Sequence, residues 1–262
     1  MHRTIFVSVQ SLAFLQFGTL PGQDFESIVK KISPSVVKIT AFDRGRAITS
    51  GGGFLVAADG FIVTDRQVIG DYTTIVIETA DGLKHTGISV EATDAVHGLV
   101  LLRVADVSAR QPLTLGSPRQ GEKVVVITPE KPISSGLISD VIWAPSPART
   151  EIMPLRPTAR VAATGTELIQ MTASVSAGDS GSPVVNSSAE VIGVATFRSG
   201  IGENVNFAIS SKHVKELLES QGLARRQSLA MRRVLRIEAD AKNGKNCFRS
   251  LRDHDAGRST EL

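Results

Sequence analysis

The sequence predicts an all-β protein made of two small antiparallel barrels, six strands each, with a short helix before them and another after. Three observations carry this. Short apolar or alternating runs recur through the first half, separated by Gly- and Asp-containing turns. A second set of six such runs follows a gap. With 42% hydrophobic residues in 262, the chain has enough apolar side chains to fill two cores of that size.

Asp24–Ile32 opens the folded part as a helix, with Phe25, Ile28, Val29 and Ile32 on one face and Pro34 at its end. Strands then follow over Val36–Phe42, Gly53–Val56 and Phe61–Thr64. Thr74–Thr79 and Leu83–Val90 flank an Asp-Gly pair, a strong hairpin signal. Leu99–Val104 is nearly continuous in apolar residues and reads as a buried strand. These six form the first barrel, about residues 36–104.

The second barrel, about 113–210, takes Val124–Ile127, Gly136–Ile142, Leu168–Thr172, Ser182–Val185, Val191–Phe197 and Asn206–Ile209. Ala144–Pro157 is rich in Pro and Ser and reads as a surface loop. Ser211–Gln221 is the closing helix, with Val214, Leu217 and Leu218 inward and Ser210 or Ser211 as its N-cap.

The ends differ from the middle. Met1-His2-Arg3 and the apolar stretch Ile5–Leu20 have the outline of a secretory signal, interrupted by Ser8, Gln10, Ser11 and Gln16. Residues 1–22 are therefore expected to be a leader, and the folded domain to span 23–221. The expected location is periplasmic or secreted, with the cytoplasm as the alternative. Residues 222–262 hold ten Lys and Arg against five Asp and Glu, leaving 19 against 21 in the first 221. The basic excess belongs to a poorly ordered tail, so no nucleic-acid groove is expected. A solvated extension and a contact with membrane lipid or an acidic partner are the two readings of that tail, and the leader is a second route to membrane contact. The single cysteine, Cys247, makes no internal disulfide and no four-ligand metal site, and neither a metal nor a cofactor is expected.

The segment richest in chemistry is Ser176-Ala177-Gly178-Asp179-Ser180-Gly181-Ser182-Pro183. A serine on a tight turn, flanked by glycines and followed at once by apolar strands, has the setting of a nucleophile beside backbone N–H groups. A plain Gly/Ser hairpin turn is the alternative for an isolated string of this kind. Two further landmarks lie upstream. One is Ser50-Gly51-Gly52-Gly53-Phe54-Leu55-Val56 with Asp59-Gly60-Phe61-Ile62-Val63-Thr64, and the other is Asp94 to Val104.

In this order and spacing, with Val191-Ile192-Gly193-Val194 and Asn206-Phe207-Ala208-Ile209 after the serine, the chain resembles an HtrA/Deg-type trypsin-like serine protease from about Phe25 to Leu218. The resemblance implies two perpendicular barrels of the chymotrypsin type with the site between them. It places the nucleophile at Ser180, an oxyanion hole on the N–H groups of Gly178 and Ser180, and a peptide-binding strand over Val194, Ala195, Thr196 and Phe197. The family often carries a C-terminal PDZ domain, and none is expected here after the closing helix.

Two positions depart from the family pattern. Where the family reads Thr-Asn-x-His-Val, this chain reads Thr64-Asp65-Arg66-Gln67-Val68, so Gln67 replaces the histidine. Where an aspartate precedes the last strand of the first barrel, this chain has Gly98. An amide does not take up a proton near neutral pH, and glycine offers no carboxylate. His97 with Asp94, and His85, are the candidates for a rebuilt base, although neighbours on a strand face opposite ways and His97 should not point where position 98 does. Asp65 and Arg66 read as solvated charges. The expectation is a protease homologue without hydrolytic activity that keeps the ability to bind extended polypeptide. The alternative is an active endopeptidase using Ser180 with a rearranged base.

Overall fold

The computed structural model describes residues 22–71, 74–107, 110–130, 134–145, 165–197 and 205–223. The leader, most of the Pro- and Ser-rich stretch and nearly all of the basic tail lie outside the described residues.

Helix α1 (Gly22–Ile32) buries Ile28 and Ile32, with Phe25 and Val29 packed partly against the same core, and a 3-10 turn at Ser33–Ser35 ends it at Pro34. Seven strands follow: β1 (Val36–Asp43), β2 (Arg46–Ala57), β3 (Phe61–Asp65), β4 (Thr74–Thr79), β5 (Lys84–His85), β6 (Ser89–Asp94) and β7 (Leu99–Arg103). The short helix α2 (Arg66–Ile69) sits between β3 and β4. The spatial order is β5-β4-β1-β2-β3-β7-β6, antiparallel throughout and open between β5 and β6.

The first unit is thus a seven-stranded half-barrel rather than a closed six-stranded one. The expected strand Leu83–Val90 is broken at Gly87, whose φ of +73° turns the backbone out of the extended region. Only the two residues of β5 remain on the β4 side, too few to bridge to β6.

The second unit is a closed barrel in the order β10-β13-β12-β11-β8-β9. Its strands are β8 (Lys123–Val126), β9 (Ser134–Pro145), β10 (Gly165–Met171), β11 (Pro183–Asn186), β12 (Val191–Thr196) and β13 (Asn206–Ser210). Helix α3 (Ser211–Ser220) closes the fold. Ser210 caps it by accepting the N–H of Lys212 at 3.3 Å, and Val214, Leu217 and Leu218 are buried as expected.

Two apolar clusters fill the units separately, and a third joins them. The third holds Phe54, Val63 and Leu99 of the half-barrel with Val125, Leu168, Val194 and Leu218 of the barrel and α3. This shared core fixes how β2 and β3 face the turn before β11, and the serine motif lies on that turn.

Candidate active site

The serine turn is held from three sides. Ala177–Asp179 forms one 3-10 turn, closed by the N–H of Asp179 donating to Ser176 O at 2.9 Å. The buried Asp179 carboxylate accepts from the Ser176 N–H at 2.7 Å and from its hydroxyl at 2.5 Å, a reciprocal cap that locks the turn's start. From the first unit, the Gly52 N–H donates to Ser180 O at 2.8 Å. From β12, Ala195 uses both backbone groups on this segment, accepting from the Gly181 N–H and donating to Ser182 O, each at 2.8 Å.

Of the two glycines flanking the serine, only Gly181 has left-handed backbone, with φ +84°. A Cβ there would also lie 2.2 Å from Gly52 O and 2.4 Å from Thr64 Oγ1. Glycine is required at 181 on both counts. Gly178 instead belongs to the 3-10 turn and has no left-handed backbone angle.

Ser180 is 3% exposed, and its Oγ accepts the Phe197 N–H at 3.1 Å. Strand alternation explains that donor. Ala195 faces the serine turn, Thr196 pairs with Phe207 of β13, and the next residue's N–H returns to the serine side. The hydroxyl hydrogen of Ser180 has no acceptor within hydrogen-bond distance among the described residues.

Gln67 stands on α2, whose start is fixed by two bonds. Asp65 Oδ1 accepts the Gln67 N–H at 2.8 Å, and Gly98 O accepts the Arg66 N–H at 2.8 Å. Asp65 is therefore buried as a helix cap rather than solvated as expected, whereas Arg66 is exposed. The Gln67 side chain is exposed and reaches Thr196 Oγ1 in a long contact of 3.5 Å, one residue before Phe197, whose N–H holds Ser180.

Gly98, the other replaced position, has φ +76° and lies in the turn between β6 and β7, where its N–H donates to Asp94 O at 2.8 Å. The candidate substitute bases are engaged elsewhere. His97 bonds Asp94 Oδ2 through Nδ1 at 2.6 Å and stacks on His213 of α3. His85 contacts Thr79 Oγ1 at 3.5 Å, and His213 Nε2 accepts the Glu167 N–H at 2.9 Å. His2 and His254 lie outside the described residues. The structure thus gathers Ser180, Gln67, Thr196 and Phe197 at one place, while His97 is engaged by Asp94 and His213. Thr196 as the contact of Gln67 was not anticipated, because nothing in a strand's own pattern says which side chain meets a helix from the other unit.

The peptide-binding expectation needs a correction. Val194–Thr196 is not an edge: β12 lies between β11 and β13, and the serine turn occupies the side that β11 leaves. Of the four expected residues, Phe197 alone lies past this paired stretch, and its N–H is held by Ser180 Oγ.

A model of the trypsin-like peptidase domain matches residues 51–194, more than half of the chain, and covers the end of β2 from Gly51, the Gln67 helix and the serine turn. The chain belongs to the trypsin-like peptidase family. Its relatives are of the HtrA type. Serine protease HTRA2, mitochondrial, of Bos taurus is 35% identical over 204 residues, 73% of this chain and 42% of that protein. Serine protease HTRA1A of Danio rerio is 25% identical over 248 residues, 88% of this chain and 50% of that protein. Among solved structures, the serine endoprotease from Yersinia pestis matches with a TM-score of 0.60 at 22% identity, over 77% of this chain and 66% of that one. That likeness supports the fold. The chain spans about half or less of the length of these curated relatives. Among the described residues, no helix is long and apolar enough to cross a membrane.

Proposed function

We propose that this HtrA-type chain is a non-catalytic member of its family whose serine turn takes part in binding extended polypeptide. One observation carries the reading: Ser180 Oγ accepts the Phe197 N–H, and no imidazole among the described residues comes within hydrogen-bond reach of it. Acyl transfer from serine needs a base to take its proton and a carboxylate to orient that base. Gln67 offers an amide, and Gly98 offers nothing. Loss of one such partner lowers turnover by about 10⁴–10⁶, and further losses add little.

The alternative, an endopeptidase with a rearranged base, depends on His97, His85 or His213, each of which has other partners. An extended peptide would add its main chain beside Phe197, taking over the N–H that Ser180 now holds. The apolar stretch Ile5–Leu20 behind Met1-His2-Arg3 supports export to the periplasm or outside the cell.

The test compares the wild-type chain with Ser180→Ala on casein and on unfolded model peptides, with peptide binding followed by fluorescence anisotropy. Equal, background-level hydrolysis by both, together with saturable binding, is expected. Hydrolysis by the wild type that disappears in Ser180→Ala would restore the enzyme reading.

A further inference from the structure

The turn between β6 and β7 meets the second unit through a pair of imidazoles. Asp94 organises the turn: its Oδ1 accepts the N–H groups of Val96 at 3.1 Å and His97 at 3.0 Å, and its Oδ2 lies 2.6 Å from His97 Nδ1. The His97 ring stacks on that of His213, centroids 3.7 Å apart and planes 14° from parallel. Beside the stack, Thr166 Oγ1 of β10 donates to Val96 O at 3.2 Å.

His213 is buried, and its protonation state is fixed by its partners. Nε2 accepts the Glu167 N–H at 2.9 Å, so it carries no proton, and Nδ1 must donate to Glu216 Oε2 at 2.9 Å. His97, His213 and Glu216 bring ligand atoms within 4.8 Å of one another, yet they make a poor metal site. Imidazole lone pairs lie in the ring plane, and nearly parallel stacked rings cannot aim them at one ion. His213 also has no lone pair to spare, since Nε2 is committed to the Glu167 N–H.

We infer that the His97–His213 stack is a proton-operated clasp that fastens the β6–β7 turn to the closing helix near neutral pH and releases it on acidification. A proton on His213 Nε2 would point at the Glu167 N–H, donor against donor, and would set a cation against His97. The surrounding groups are Asp94 and His97 on the turn, Glu167 on β10, Glu216 and Lys212 on α3, and the uncharged Trp143 of β9, edge-on at 6.3 Å. Glu216 and Glu167 favour the charged ring, but burial outweighs them, and His97 acts in the same sense as burial. His213 is held below the usual imidazole value.

An opened turn frees the ring to titrate near the usual value of about 6.5, so the open form binds a proton more readily. The opening constant therefore rises as pH falls, about tenfold per unit, from that value down to the lowered one. The clasp's stabilisation is complete above the usual value and is lost on the way down. Release would reach the serine site, because Gly98 O holds the Arg66 N–H at the start of the helix that carries Gln67.

Amide hydrogen exchange on the full chain, corrected for intrinsic rate, tests this between about pH 7.5 and about pH 5.5, either side of the usual imidazole value. The N–H groups of Glu167, Gly98 and Arg66 should lose protection together, with Glu167 falling about tenfold per pH unit within the transition. In His213→Gln, which keeps an acceptor near Nε2 and does not titrate, the loss should be absent. Protection that ignores pH in the wild type, or an equal loss in His213→Gln, overturns the clasp. Should that variant fail to fold, the wild-type His213 ring titration followed by NMR decides: a midpoint below the usual value supports the clasp, and one at or above it overturns it.

Discussion

The hydroxyl oxygen of Ser180 and the N–H of Phe197 satisfy each other in a spot almost closed to water, so anything that approaches the serine must first separate them. Two residues further on, Ser182 has the opposite problem: its Oγ is buried with no hydrogen-bond partner among the described residues. It fits only because position 52 is glycine, whose Cβ would stand 2.2 Å from that oxygen. An unpaired buried hydroxyl costs about 1–3 kcal/mol of desolvation. Ser182→Ala should therefore leave stability unchanged or raise it by about 1 kcal/mol in urea denaturation. A loss larger than that would mean the hydroxyl has a partner. At this scale the Gly-x-Ser-Gly string was readable, since Gly181 answers to local backbone geometry. The burial of Asp65 and the pairing of His97 with His213 were not, because both depend on which surfaces meet across the chain.

Two small elements carry the departures from the family pattern. Helix α2 presents Gln67 outward on a start fixed by Asp65 and Gly98, and the β6–β7 turn carries Gly98 with its left-handed φ. The missing carboxylate is thus accompanied by a backbone that L-residues avoid, at a cost of about 1–2 kcal/mol. Gly98→Asp should lower stability by about 1 kcal/mol, aspartate being among the better tolerated residues there, whereas Gln67→His on the exposed helix should change it little. Urea midpoints of the two single variants check this. An undiminished Gly98→Asp protein would show that the turn adapts freely. The strands themselves were legible because alternation and Asp-Gly turns are local signals. The split of Leu83–Val90 into β5 and β6 was missed, since Lys84, His85 and Thr86 continue a strand-like run until Gly87 turns away.

Across the whole molecule, the half-barrel and the barrel each hold an apolar cluster of their own and share a third as a common core. Phe54, fully buried in that core, sits on β2, while Trp143, the only tryptophan, reports from β9 of the other unit. Phe54→Ala should cost about 3–5 kcal/mol and shift the tryptophan and far-UV circular dichroism midpoints together. Separate transitions would mean that the units unfold independently. The two-unit plan and the family were readable from three ordered landmarks. Closure of only one barrel was not, because it depends on how far the end strands reach. On the function proposed above, this trypsin-like fold of HtrA type does not cleave peptide bonds. The most direct test is peptide hydrolysis by the wild type and by Ser180→Ala at equal, high protein concentration. Identical background rates are expected, and a wild-type rate that vanishes with the Ser180 hydroxyl would make the chain an endopeptidase.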